Sequence, residues 1–170
     1  HIVWFKRDLR IVDHAALSMA AAVNVMVCRI FWGASPSAGL FERKAKIDAP
    51  IWFLNEKLDV RSSFFMEEVA TEFDVQGLEL DWIGVCWDAD FRHTGDQFEH
   101  FRFSGTRWQS VRQDQAKLYL KNAYRVLMTR ARQGLIIYIP KGDPADHTRP
   151  SKYYDDTANY LKNCGIPEIK

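Results

Sequence analysis

Two apolar segments of strand length flank one long amphipathic helix, and this order restricts the folds open to the chain. Residues 82–87 and 135–139 are rich in β-branched and aromatic side chains, whereas residues 111–132 carry the strongest helical pattern in the sequence. Gly134 is expected to end the helix and Pro140 the second strand. A strand, a helix and a further strand in succession are typical of a parallel sheet, so we expect an α/β fold.

The amino-terminal part shows the same pattern on a smaller scale. Residues 1–5 predict a short strand, Asp13 the N-cap of an Ala-rich helix over residues 15–22, and residues 24–32 a buried parallel strand. Residues 33–50 are rich in Gly, Ala, Ser and charged side chains and contain two prolines, which predicts a junction.

The remaining segments give weaker patterns. We predict a short strand over residues 69–73, a turn over 76–80, and a final helix over 152–164 that Gly165 closes. Residues 93–106 show neither the helical nor the strand period, so we expect a loop there.

Composition and charge exclude several classes of protein. With 47% hydrophobic and 26% charged residues, the chain of 170 residues is expected to fold as one domain or as one domain with an appendage. The formal net charge of +1 gives no whole-chain argument for nucleic-acid binding. Three widely spaced cysteines indicate neither a disulfide framework nor a zinc site, which fits a cytoplasmic location, and no apolar run is long enough to span a membrane.

Arg130 stands out on the long predicted helix. On a helical wheel it lies among the apolar side chains, and a buried guanidinium needs a partner. Either it extends past the helix end into an ion pair, or it is directed toward an anion. The opposite side carries Lys117, Lys121, Arg125 and Arg132, which form either a solvated face or a phosphate-binding track.

Residues 124–132 (YRVLMTRAR), with residues 75–79 (VQGLE) some fifty positions earlier, resemble the last two motifs of superfamily 1 helicases. The chain more narrowly resembles the C-terminal part of the Schlafen group III type DNA/RNA helicase-like domain over about residues 45–170. The segments that carry this resemblance are residues 59–63, 72–79, 84–90, 122–132 and 160–165.

The resemblance implies a RecA-like parallel-sheet fold of the P-loop NTPase class, as the second of two such domains. Such a domain closes over ATP and Mg²⁺ held by an N-terminal RecA-like domain of the same or another chain, and DNA or RNA is a further partner. Gln76, Gly77 and Glu79 match the motif that approaches the nucleotide and couples it to the bound strand. Arg130 matches the catalytic arginine that reaches the γ-phosphate.

The catalytic first half of such an ATPase is not visible in the sequence. It contains no G-x-x-x-x-G-K-[ST] phosphate loop and no apolar strand that ends in an Asp-Glu pair. We therefore expect no ATP hydrolysis by this chain alone, and interpret it as the C-terminal part of a helicase-like ATPase. The alternative is a non-catalytic module that binds nucleic acid or protein.

The amino end resembles a different family. Residues 1–10 (HIVWFKRDLR) and 13–17 are similar to the opening strand and helix of the photolyase/cryptochrome α/β domain. In that family the flavin lies in a large helical domain without a counterpart here, so we expect no flavin and no photorepair. A photolyase-like DNA repair fragment is a further alternative. The predicted division is therefore a photolyase-like β-α(-β) segment with its junction over residues 1–44, and a RecA-like helicase domain over 45–170.

Further candidates are aspartates and tryptophans. Asp88 and Asp90 follow a predicted strand, where they suit turn and capping roles better than a metal site, and no metal site is predicted elsewhere. Trp82, Trp87 and Trp108 are expected to anchor the core or loops, with base stacking as the alternative.

Overall fold

The computed structural model describes residues 4–5, 25–29, 47–65 and 70–168 of the chain. Over these residues the fold is α/β, as predicted, with a parallel sheet and an antiparallel sheet. In chain order the elements are β1 (Trp4–Phe5), β2 (Val25–Arg29), α1 (Ala49–Leu54), a 3₁₀ turn (Ser63–Phe65), β3 (Leu80–Cys86), β4 (Phe91–Thr94), β5 (Gln97–Ser104), β6 (Arg107–Ser110), α2 (Asp114–Thr129), β7 (Ala131–Tyr138) and α3 (Lys152–Asn163).

The parallel sheet has the strand order β1-β7-β3-β2. In its central pair Val85 of β3 lies opposite Ile137 of β7, while β2 pairs with the other edge of β3 and β1 with the other edge of β7. The predicted apolar strands around β2, β3 and β7 are confirmed. Strands from both predicted parts of the chain thus belong to one sheet, and the division between residues 44 and 45 stays a prediction.

The hydrophobic core lies where α2 packs against β3 and β7. Tyr124 and Leu127 of α2 are fully buried, as are Ile83 and Val85 of β3. Their removal from water is the main contribution to the stability of this part, at about 1.5–3 kcal/mol for each large apolar side chain.

The antiparallel sheet β4-β5-β6 occupies the segment for which a loop was predicted, so that prediction was wrong. Two-residue turns join its strands, with Gly95 and Gly105 at positive φ values of 62° and 63°. A glycine at the first position of a two-residue turn is a recognised hairpin signal. The strands were missed because charged and aromatic side chains alternate along them and several are half-exposed.

The end of α2 also differs from the prediction. The helix ends at Thr129, whose Oγ1 donates to the carbonyl of Arg125 at 2.7 Å, and Arg130 is its C-cap. Gly134 is therefore not a cap but a residue of β7, where it lies opposite Trp82. A Cβ atom there would meet the Trp82 ring at 2.0 Å, so the position requires glycine for close packing.

Other segments complete the comparison. The final helix is confirmed as α3, whereas residues 70–77 form a bridge and turns instead of the strand predicted over residues 69–73. Pro50 does not break structure but lies in the first turn of α1, where a missing N–H costs nothing. The predicted N-cap Asp13 and helix over residues 15–22 lie outside the described residues. None of the described helices combines the length and hydrophobicity that a membrane crossing requires.

Candidate functional site

Arg130 and Glu79 are neighbours in space although they are far apart in sequence. Glu79 directly precedes β3 and Arg130 directly precedes β7, and the first residues of these strands, Leu80 and Ala131, lie opposite each other. The backbone N–H of Leu80 donates to the carbonyl of Arg130 at 3.2 Å. We call this edge of the sheet, formed by residues 79–80 and 130–131, the amino rim.

The position of the amino rim corrects one expectation. Ligands of open α/β sheets bind beyond the carboxyl ends of the strands, so the resemblance to a nucleotide site predicts Arg130 and Glu79 at those ends. They lie together, but at the opposite end, because each motif forms the segment that leads into its strand. Any ligand shared by the two side chains must approach the sheet from this rim.

The Arg130 side chain is half-buried. Its Nε is shielded from solvent and has no hydrogen-bond partner within residues 47–65 and 70–168. A buried guanidinium nitrogen without a partner costs free energy that an arriving anion recovers. No ion pair of Arg130 is found among the described residues, and its direction toward an anion stays a prediction.

Gln76, Gly77 and Glu79 belong to a tight turn that leads into β3, and all three are exposed. Val75 anchors the turn in the core, and Gly77 adopts a φ of 89°, which favours glycine. The turn holds these side chains at the surface, and Glu79 alone of the three directly precedes a residue that pairs with the Arg130 backbone.

The cationic stripe predicted on the long helix is only partly present. Lys117, Lys121 and Arg125 lie on α2, but Arg132 lies on β7 because the helix ends before it. Lys117 forms an ion pair with Asp114 at 3.3 Å, and Arg125 donates to the side chain of Asn122 at 3.3 Å. The four cations therefore do not form one helical track.

Sequence reasoning missed a second candidate site between the β5–β6 hairpin and the first half of α2. An open groove of about 980 Å³ is lined there by the exposed residues Arg102, Arg107 and Arg112 and by the aromatic residues Phe73, Phe101 and Tyr119. We call it the arginine groove. The groove could not be predicted from the sequence without first predicting the hairpin. The two-residue turns at Gly95 and Gly105 are the sequence signal that would have indicated it.

Asp88 and Asp90 form a network beyond the carboxyl end of β3. The Tyr124 hydroxyl donates to Asp90 Oδ1 at 2.6 Å and accepts from the backbone N–H of Asp88 at 3.2 Å. Burial, reinforced by the charge of Asp88, raises the pKa of Asp90 well above its ordinary value of 3.8. The Asp90 carbonyl also accepts from the Phe101 N–H at 2.7 Å, so the network connects β3, α2 and the hairpin.

This geometry supports the turn and capping roles predicted for the aspartates, since Asp88 Oδ1 accepts from the N–H of Ala89 at 2.7 Å. Across residues 47–65 and 70–168, no group of three or more His, Cys, Asp or Glu side chains is arranged to hold a metal ion.

The hairpin is fixed to the rest of the protein by aromatic contacts. The buried Arg92 of β4 lies between the rings of Phe101 and Tyr153, 3.6 Å and 3.5 Å from their centres. The Trp108 Nε1 donates to the carbonyl of Thr148 at 2.7 Å. These contacts hold the wall of the arginine groove against α3 and the loop before it.

The predicted anchoring role of the tryptophans is confirmed. Trp87 is buried and its Nε1 donates to the carbonyl of Phe91 at 2.6 Å, while Trp82 packs over Gly134. Trp108 anchors the hairpin.

Comparison with known proteins identifies a family. The family model described as Schlafen group 3, DNA/RNA helicase domain, matches residues 25–141, which is most of the chain and includes both the amino rim and the arginine groove. No curated protein and no solved structure matches significantly.

Proposed function

We propose that this chain, which belongs to the Schlafen group 3 DNA/RNA helicase domain family, supplies one half of a nucleotide site in a nucleic-acid-dependent ATPase. The observation that carries the proposal is the amino rim, where the buried Arg130 Nε lacks a partner among the described residues and the Arg130 backbone lies beside the end of the turn segment Gln76 to Glu79. The site is completed by an N-terminal RecA-like domain of the same or another chain.

The proposed role of Arg130 follows from the charge changes in phosphoryl transfer. As a bond forms between water and the γ-phosphorus and the bond to the bridging oxygen breaks, negative charge spreads over the transferred group. A fixed guanidinium stabilises that charge, and an arginine in this role is worth about 10³ to 10⁵ in rate. The half-buried position of Arg130 limits its rotation and its hydration, which strengthens the interaction.

Gln76 and Glu79 suit a supporting role. Their side chains are exposed on a turn whose backbone is fixed by Val75 and Gly77, so they are free to hydrogen-bond an approaching nucleotide. Mg²⁺ neutralises phosphate charge in such reactions. We assign the Mg²⁺ ligands to the partner domain that holds the nucleotide phosphates, and no group of three or more potential metal ligands lies among the described residues of this chain.

The split site is tested by phosphate release from ATP. The 170-residue chain alone should show no turnover above buffer, while addition of a phosphate-loop domain from a Schlafen group 3 protein should give turnover that single-stranded nucleic acid stimulates. Robust turnover by the chain alone that disappears in Arg130→Ala would contradict the split site.

A non-catalytic nucleic-acid module is the second candidate. It is favoured by the arginine groove, whose lining includes none of the amino-rim residues. A stable complex with the phosphate-loop domain that shows no turnover would favour it.

A further inference from the structure

We infer that the arginine groove binds one strand of nucleic acid, with the phosphates on Arg102, Arg107 and Arg112 and a base on the rings of Phe73 and Tyr119. This inference rests on the proposed function, because it names the surface through which the polymer would act on the ATPase. It concerns a surface whose lining includes none of the amino-rim residues.

The charge of the groove supports an anionic ligand. Its lining includes three exposed arginines and no carboxylate, and none of the three forms an ion pair within residues 47–65 and 70–168. Two further cations, Lys117 and Lys121 of α2, lie near the groove; burial lowers the pKa of His100, and these two lysines lower it further. A ligand with several negative charges at regular spacing therefore fits this surface.

The rings of the groove favour a ligand that carries flat bases. Phe73 and Tyr119 stack with ring centres 5.9 Å apart and are 59% and 36% exposed. Exposed aromatic rings next to arginines are the combination that single-stranded nucleic acids use, since unpaired bases stack on the rings while phosphates meet the cations. An acidic peptide uses the cations but gains little from the rings.

The shape of the groove favours a single strand over a duplex. Proteins that read duplex DNA insert a projecting helix or ribbon into a groove of the DNA, whereas this site is itself concave. Three lining glutamine side chains, Gln109, Gln113 and Gln115, add donors and acceptors that base edges require. The Arg92 contacts keep the hairpin wall in place, so the groove is formed before the ligand arrives.

Fluorescence anisotropy of labelled dT20 and rU20 with the full chain, without ATP or partner domain, tests this inference. The variant Arg102→Gln/Arg107→Gln/Arg112→Gln should weaken binding at least tenfold and reduce the slope of log Kd against log salt by about 2, for three cations at about 0.7 each. The control Lys57→Gln/Lys141→Gln/Lys152→Gln removes the same charge from exposed positions outside the groove lining. It should bind within about threefold of wild type, and circular dichroism checks the fold of each variant.

A second variant separates stacking from charge. Phe73→Leu should weaken oligonucleotide binding about fivefold or more without changing the salt slope. Equal weakening by the arginine and the lysine triple variants would overturn the inference in favour of a general polyanion surface. So would polyglutamate that competes as strongly as unlabelled oligonucleotide, if its competition is unchanged in Phe73→Leu. No binding of either oligonucleotide by folded wild-type chain would also overturn it. Because these binding assays contain no ATP, none of their results depends on the role proposed for Arg130 in ATP cleavage.

Discussion

At the scale of the residue, Gly134 leaves the space in which the Trp82 ring of β3 lies against the backbone of β7. A Cβ at this position meets the ring at 2.0 Å, closer than any side-chain contact tolerates, so Gly134→Ala must displace Trp82 or separate the strands. We expect a loss of about 1–3 kcal/mol in the free energy of unfolding, measured by urea titration. The exposed neighbour Gln133→Ala is the control, and equal stability of the two variants would contradict the packing argument.

Asp90 gives the protein a pH dependence of known sign. Because its pKa is raised in the folded state, the folded protein retains a proton that the unfolded chain releases above about 3.8, so this group's contribution to stability falls as pH rises through the folded pKa. Asp90→Asn cannot titrate but keeps an acceptor for Tyr124. The wild type should therefore lose more stability than Asp90→Asn between pH 5 and pH 8 in urea titrations. Parallel pH profiles would show that Asp90 is ionised in the fold.

At the scale of the element, Arg92 attaches the antiparallel sheet to α3. Arg92→Gln removes a guanidinium packed between two rings, and the remaining amide cannot reproduce the stacking. We expect a loss of about 1–2 kcal/mol and faster amide exchange in α3 and β4, while α2 keeps its protection. Uniform exchange across the protein would mean that Arg92 does not act at this contact.

The elements that sequence predicted are those with a buried face. β3, β7, α2 and α3 follow the apolar periods of strand and helix, and the misfit of Arg130 within one such period is the sequence observation behind the role proposed for it. The antiparallel sheet β4-β5-β6 has no continuous apolar face. Contacts of Arg92 and of the aromatic side chains stabilise it instead. The arginine groove was therefore hidden, since two of its arginines lie on strands that the pattern did not reveal.

At the scale of the whole molecule, the amino-terminal segment contributes the two edge strands of the described parallel sheet. β1 is two residues long and pairs with β7, whereas β2 pairs with β3 along five residues. Deletion of residues 1–18 removes β1 alone among the described elements, so residues 45–170 should keep their fold with a small loss in melting temperature. No flavin should copurify before or after deletion. Unfolding of the deleted chain would contradict the minor structural role of β1, whereas a stoichiometric flavin would revive the photolyase-like alternative.

The rate of ATP cleavage in the complex with a phosphate-loop domain tests the central claim most directly. Arg130→Ala should lower the single-turnover rate by about 10³-fold or more, and Arg130→Lys should restore only part of it, because a lysine lacks the fixed planar geometry of the guanidinium. The exposed cation Lys141→Ala serves as control and should leave the rate unchanged. A wild-type rate in a folded Arg130→Ala complex would contradict the assignment of the amino rim as half of a nucleotide site.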